Sequence, residues 1–203
     1  MPVTSRQRRA ARMPAGKINP AGILHIVYGK KKKKGRKNME KRNVIFLDID
    51  GVLNSLAYHE KAGRGAPELE ERALKILADI YKENDCCIVL ASSWRELAPT
   101  EYRAAHSMYQ YLLDSLGRYG MEIVDKTPYI QMDRPSEIAK WLEDHKDEVK
   151  NFIILDDDFS PKGYSRYGLD SHLIQTVFFT HDLNEGGLQE KHKEKARKIF
   201  SEA

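Results

Sequence analysis

Cysteine is almost missing from this chain: two residues among 203, and those two are neighbours, Cys86 and Cys87. Adjacent thiols cannot staple distant segments and do not have the ligand spacing of a zinc site, so neither a disulfide framework nor a structural zinc is expected. They lie in an apolar stretch and read as two buried thiols in a strand. Long hydrophobic runs are missing too. None approaches the roughly 20 residues that a bilayer-spanning helix needs, so no membrane association is expected. Ile23-Leu24-His25-Ile26-Val27-Tyr28 is too short and too interrupted for the core of a secretory signal, which leaves the reducing cytoplasm as the expected compartment. Acid is missing from one end of the chain. Residues 1–38 contain twelve Lys/Arg and no Asp or Glu, so the totals of 34 basic and 30 acidic residues leave 22 against 30 for positions 39–203, a net charge of −8. The overall charge of +4 conceals an acidic body, and a broad nucleic-acid-binding face on that body gets no support from it.

The basic end, residues 1–38, admits three readings. Lys30–Lys37 could form a nucleic-acid or nuclear-targeting patch, or the whole stretch could be a disordered tail with too little apolar surface to fold alone. The third and favoured reading is that the region is untranslated. Lys34-Gly35-Arg36 can be encoded by a purine-rich run like a bacterial ribosome-binding site, ahead of a start at Met39. The domain is then residues 39–203, of a size suited to one core.

Within that domain, Val44-Ile45-Phe46-Leu47 runs into Asp48-Ile49-Asp50-Gly51. Four bulky residues bounded by acid and glycine read as a strand buried on both faces, as in a parallel sheet. Residues two apart on a strand share a face, so Asp48 and Asp50 are expected to project together at its carboxyl end and to raise one another's pKa. Further buried strands are predicted at Cys86–Ala91, Met121–Val124, Phe152–Leu155 and His172–Thr176. Helices are predicted from Pro67 to about Glu83, from Pro99 through Tyr102, Ala105, Tyr109, Leu112 and Leu116, from Pro135 onward, and over Gln189–Phe200. The tyrosines of the Pro99 helix read as core or cover, and His145 as a half-buried face residue. Alternation of strands and helices predicts an α/β three-layer sandwich with a mostly parallel sheet. Asp48/Asp50, Ser92/Ser93 and Asp156/Asp157/Asp158 all follow buried strands, and three such elements on one sheet edge define a site.

The chemistry follows from the residue types. Carboxylates from two strands can hold a hard divalent ion, Mg²⁺ being the best match, which would clamp a phosphate. One aspartate is then free to attack phosphorus while its neighbour protonates the leaving oxygen. A serine hydroxyl can bind the phosphoryl oxygens, and Arg134 is placed in sequence to supply a cation.

Asp48-Ile49-Asp50-Gly51-Val52, Ile88-Val89-Leu90-Ala91-Ser92 and Phe152-Ile153-Ile154-Leu155-Asp156-Asp157, in that order, resemble the three motifs of the haloacid dehalogenase (HAD) superfamily of phosphotransferases. More narrowly, Leu90-Ala91-Ser92-Ser93-Trp94-Arg95, then Arg134 ahead of Glu137-Ile138 and Trp141-Leu142, resemble the HAD domain of "Swiss Army Knife" RNA repair proteins. The resemblance spans roughly residues 43–188. It implies a Rossmann-like HAD-type fold and a Mg²⁺-dependent phosphatase working through an aspartyl-phosphate. Asp48 would be the nucleophile, and Asp50 the acid and then the base, with its backbone carbonyl on the metal. Ser92 would orient the phosphoryl group, with Ser93 the alternative. Asp48, Asp50, Asp156 and Asp157 together would form the metal site. The superfamily usually has a lysine as its third-motif cation; here Arg134 is favoured over Lys126 and Lys140. About 16 residues separate Gly51 from Pro67, too few for a large first cap. The expected substrates are phosphorylated small molecules or nucleic-acid ends. The competing readings are a receiver-like regulatory module and a catalytically silent RNA- or protein-binding domain.

Overall fold

The computed structural model describes residues 40–202. The readings of residues 1–38 as tail, patch or untranslated leader, and of Met39 as the start, fall outside that span. Among the described residues, β1 (Arg42–Leu47), β2 (Cys86–Leu90), β3 (Ile123–Lys126), β4 (Val149–Asp156) and β5 (Leu173–Gln175) form one sheet in the order β3-β2-β1-β4-β5. Every neighbouring pair is parallel. The central strand β1 is apolar on both faces because both are covered. Ile45, Leu47, Ile88, Leu90, Ile153 and Leu155 point into one core, and Val44, Phe46, Val89 and Ile154 into the other. Helices α2 (Glu71–Glu83), α3 (Ser107–Gly117) and α6 (Glu190–Ser201) close the first side. Helices α4 (Arg134–Asp144) and α5 (Pro161–Ser165) close the second. Cys86 and Cys87 are free and buried, one in each core, as period-two alternation requires.

Several predicted boundaries shift, each because a particular hydrogen bond or turn intervenes. The helix expected from Pro67 begins at Glu71. The Glu70 amide donates to the Leu53 carbonyl at 2.7 Å and its carboxylate takes a two-pronged ion pair from Arg72, which holds Glu70 extended as the N-cap. The helix expected from Pro99 begins only at Ser107. A turn closed by Thr100 and Arg103 consumes the amides that a helix would use, and leaves Tyr102 91 % exposed rather than in the core or covering it. The strand expected at Met121 starts at Ile123, because the Met121 amide bonds back to Leu116 across Gly120, whose φ is +74°. The last strand is only Leu173–Gln175, since His172 ends a short 3₁₀ turn. Two short helices had no counterpart in the prediction: α1 (Leu56–Ala62), capped by the Ser55 hydroxyl, and α5. Helix α1 is the sole helix between Gly51 and α2, in keeping with the absence of a large first cap. No helix among the described residues is long and apolar enough to cross a membrane.

The start of α6 carries a titratable cap. The Gln189 side chain accepts from the N3 amide, and in return His192 Nδ1 accepts from the Gln189 amide at 3.0 Å. Only a neutral imidazole can accept there. Burial, reinforced by Lys191, Lys195 and Arg72, pulls the His192 pKa down from 6.5 to about 4. With the folded value below the unfolded one, the unfolded chain takes up the proton first as pH falls. The contribution to stability is therefore complete above about pH 6.5 and is lost progressively towards pH 4. Replacing His192→Gln keeps a capping box and removes the titration. Thermal melts from pH 7.5 to 4 should show the wild type losing stability faster than the variant below pH 6.5; parallel curves would refute the assignment.

Candidate active site

The sheet ends β1, β2 and β4 side by side, so the segments leaving them meet. Strand β1 stops at Leu47, and the Asp48 amide still bonds the Leu155 carbonyl at 3.0 Å, which carries Asp48 to the carboxyl edge. The chain then turns: Val52 and Leu53 both donate to the Ile49 carbonyl, and Gly51 takes φ +76°. Asp50 therefore sits on a tight turn rather than on a strand face shared with Asp48. Both still line one cavity of about 190 Å³, together with Ser93, Arg134, Asp157, Asp158, Phe178 and Phe179. A larger hollow of about 730 Å³ opens at the strands' amino ends, against Arg42, Asn84 and Arg197, away from all the strand-end motifs.

Asp48 is buried. Its Oδ1 accepts from the Ile49 amide at 2.8 Å, and its Oδ2 from Arg134 Nη1 at 2.5 Å. Burial lifts its pKa to about 7 against the opposing pull of Arg134; Asp156 lifts it further and a hydrogen bond with Ser92 lowers it. The like charge that acts on Asp48 is thus Asp156, not the expected Asp50. Asp156 is fully buried at the end of β4. It accepts from Arg134 Nη1 and the Asp158 amide on Oδ1, and from the Tyr164 hydroxyl on Oδ2. Burial pushes the Asp156 carboxyl up as well, with Arg134 opposing. The Arg134 side chain is only 11 % exposed, which by itself would weaken its charge, but the facing Asp48 and Asp156 hold its pKa above the usual arginine value. Asp157 is raised to about 7, by burial first and then by Asp158 and Asp156.

One oxygen each from Asp48, Asp156 and Asp157 fall within 4.8 Å of one another. These are hard oxygen donors, and the single guanidinium leaves two of the carboxyls lifted to about 7, so the cluster lacks positive charge. A divalent cation such as Mg²⁺ fits that donor set and that deficit. The Asp50 carboxylate stands outside the triad and is held by two donors, Asn54 Nδ2 on Oδ1 and Trp94 Nε1 on Oδ2, both at 2.9 Å. Ser92 is buried beside Asp48, whereas Ser93 is exposed and faces the cavity. Lys140 pairs with Asp144 on the outer face of α4, and Lys126 is exposed at the end of β3; neither lines the cavity.

Four contributors were not anticipated from sequence as site residues. Trp94 and Asn54 orient Asp50, and Tyr164, fully buried on α5, orients Asp156. Glu137, 1 % exposed, accepts from Arg95 Nη2 at 2.8 Å and from the Ile130 amide at 2.9 Å. Arg95 also reaches the Ser92 carbonyl at 3.2 Å, so this pair ties the Ser92 segment to the loop presenting Arg134. That loop holds Gln131 and Met132 at φ +50° and +61°, a conformation that needs support from its surroundings. Trp94 and Glu137 stood in the motifs quoted above, but nothing in their spacing assigned them a partner. Tyr164 left no signal.

A parallel α/β sandwich with aspartates, a serine and an arginine converging at the carboxyl ends of its central strands is a domain of the haloacid dehalogenase type. Within that class, the family described as the HAD domain in Swiss Army Knife RNA repair proteins matches residues 44–185, and the chain belongs to it. The matched stretch contains every site residue named above. No curated protein and no solved structure matches the chain. Family membership indicates phosphoesterase-type chemistry in general terms.

Three substitutions test the site as a piece of architecture. A Cβ on Gly51 would lie 2.1 Å from Asp157 Cγ, and φ is positive there besides. Gly51→Ala should cost about 2 kcal/mol or more in a denaturant melt, and adding Asp157→Gly should restore part of that loss by clearing the collision; no restoration would place Asp157 elsewhere. Glu137→Ala strands the buried Arg95 and should cost about 3–5 kcal/mol. A change below about 1 kcal/mol in the same melt would show that the Arg95–Glu137 pair does not hold the loop.

Proposed function

We propose that this chain hydrolyses phosphomonoesters through a phosphorylated aspartate, with Mg²⁺ as cofactor. The observation that carries this reading is the convergence on Asp48: a buried carboxylate at the end of the central strand, with Arg134 on one oxygen, Ser92 beside it and Asp50 across the same cavity. Asp48, Asp156 and Asp157, with the Asp50 backbone carbonyl, are the residues that would hold the ion. When bound, it neutralises the carboxylates and draws in the substrate phosphate.

The remaining steps belong to the chain's own groups. Arg134 offers a fork of donors that matches phosphoryl oxygens, and a serine hydroxyl, Ser92 or Ser93, adds another. An Asp48 carboxylate oxygen attacks phosphorus, and the bond from phosphorus to the leaving oxygen breaks as Asp50 gives that oxygen its proton. Asp50, now ionised, takes a proton from water, whose oxygen attacks the phosphorus of the aspartyl-phosphate. Phosphate leaves, Asp48 is a carboxylate again and Asp50 is reprotonated. Trp94 and Asn54 hold the Asp50 carboxylate in place at the cavity lining, where both transfers would occur. Phosphorylated small molecules and nucleic-acid ends are the substrates this reading favours.

Turnover of p-nitrophenyl phosphate with and without Mg²⁺ is the direct assay. Asp48→Asn should abolish turnover and phosphoenzyme trapping, and Asp50→Asn should slow turnover by about 10²–10⁴. Near-normal activity in Asp48→Asn would remove the covalent mechanism. Asp157→Ala should raise the Mg²⁺ concentration needed for half-activation, and a variant that saturates where the wild type does would take Asp157 out of the ligand set.

A further inference from the structure

The cavity over Asp48 has two unlike sides. Asp48, Asp50, Arg134, Asp157 and Asp158 form a charged floor, and Phe178 and Phe179 form an apolar wall. At about 190 Å³ it is smaller than the pockets that enclose whole ligands. It has room for a phosphoryl group and leaves the rest of a substrate at the rim.

Phe179 occupies that rim and is 83 % exposed. A lone exposed apolar side chain is ordinary; this one is held in place. Its ring meets Phe178 edge-on, centroids 4.9 Å apart at 82°, and Phe178 is backed in turn by His59 at 6.5 Å. The backbone under the pair is pinned on both sides. The Val177 carbonyl accepts from Gly187 at 3.0 Å, and the Phe178 carbonyl from Leu56 at 3.1 Å and Thr180 at 3.0 Å. A ring on a pinned backbone, braced on one edge by Phe178, presents its face to solvent beside the charged floor.

We infer that Phe179 is a specificity-determining residue that stacks a planar ring carried by the leaving group, so that the preferred substrates are aryl or nucleoside phosphomonoesters. The inference rests on the phosphomonoesterase reading and narrows it. Stacking on an aromatic side chain is tolerant of the ring's identity, because every nucleobase and aryl group has a π face. The charge distribution narrows the class further. Four carboxylates, Asp48, Asp50, Asp157 and Asp158, line the cavity against the one guanidinium of Arg134 and repel the further phosphates of a long strand, which favours a free nucleotide over an extended strand.

The test compares kcat/KM of the full chain, with Mg²⁺, on ring-bearing nucleoside 5′-monophosphates, those of adenosine and uridine, against glycerol 3-phosphate, all of which release a primary alcohol. The wild type should prefer the ring-bearing substrates by about tenfold or more, the range expected for one stacked ring. Phe179→Ala should erase the preference through KM, and Phe179→Trp should keep it. A wild type without preference, or a Phe179→Ala protein that retains it, overturns the inference while leaving the hydrolysis itself standing. Calorimetric binding of the same ligands to Asp48→Asn is independent of turnover. If no substrate is hydrolysed, the enzymatic reading fails, and the inference then stands or falls on whether adenosine monophosphate binds more tightly than glycerol phosphate in a Phe179-dependent way. A 5′-phosphorylated octanucleotide in both assays separates the two sources of such a ring: a free nucleotide is expected to be the better ligand, and a better octanucleotide assigns the ring to a nucleic-acid end.

Discussion

The Arg134 guanidinium reaches two carboxylates that would otherwise repel each other inside a core. Asp48 is 4 % exposed and Asp156 is fully buried, and they sit at the ends of adjacent parallel strands whose register is fixed by residues far below them. Burying two carboxylates close together with no cation is expensive, and the strand ends could not stay where they are without one. Arg134 lies in the first turn of α4, so the same contact that offsets the acid pair also docks a helix end over the sheet edge. Tyr164 closes the arrangement from α5 by donating to Asp156. The site and the sheet edge are in this sense one object.

One cation is not enough for that cluster. Burial outweighs Arg134 at Asp48, and Asp157 is lifted as well, so the edge retains a deficit of positive charge that the fold itself does not fill. The proposed Mg²⁺ would supply the missing charge. The supporting pair works differently. Arg95 and Glu137 form a buried ion pair, with Glu96 3.7 Å from Arg95 on the solvent side, and join the segment after β2 to the loop before α4, where Gln131 and Met132 take left-handed conformations. One network ties two segments of the scaffold together, and the other is where the proposed ion and substrate would bind.

Much of this was legible in the sequence wherever the causes were local. Unbroken apolar runs ending in acid or serine identified β1, β2 and β4, their two-sided burial implied a parallel sheet between layers of helices, and the strand-end position put Asp48, Ser92 and Asp156 on one edge. Arg134 could be named as the cation because it stands just before a proline-led helix start. Where a hydrogen bond that apolar pattern does not encode decided the outcome, propensity misled. Proline at 67 and at 99 marked helix starts by propensity alone, while the Glu70–Leu53 bond and the Thr100–Arg103 turn moved the real starts to Glu71 and Ser107.

The covalent order of residues determined which groups end each strand, because side-chain alternation and apolar burial act over a few positions. Only the tertiary structure decided which of those groups touch. Asp50 was paired with Asp48 by spacing, yet the turn at Gly51 gave it to Trp94 and Asn54 instead and set Asp157 against the bare Cα of that glycine. Tyr164 on Asp156, Glu137 on Arg95 and Phe179 on the cavity rim are likewise products of packing between separate elements. No periodicity encodes such contacts, since each depends on where two separately formed elements come to rest against one sheet.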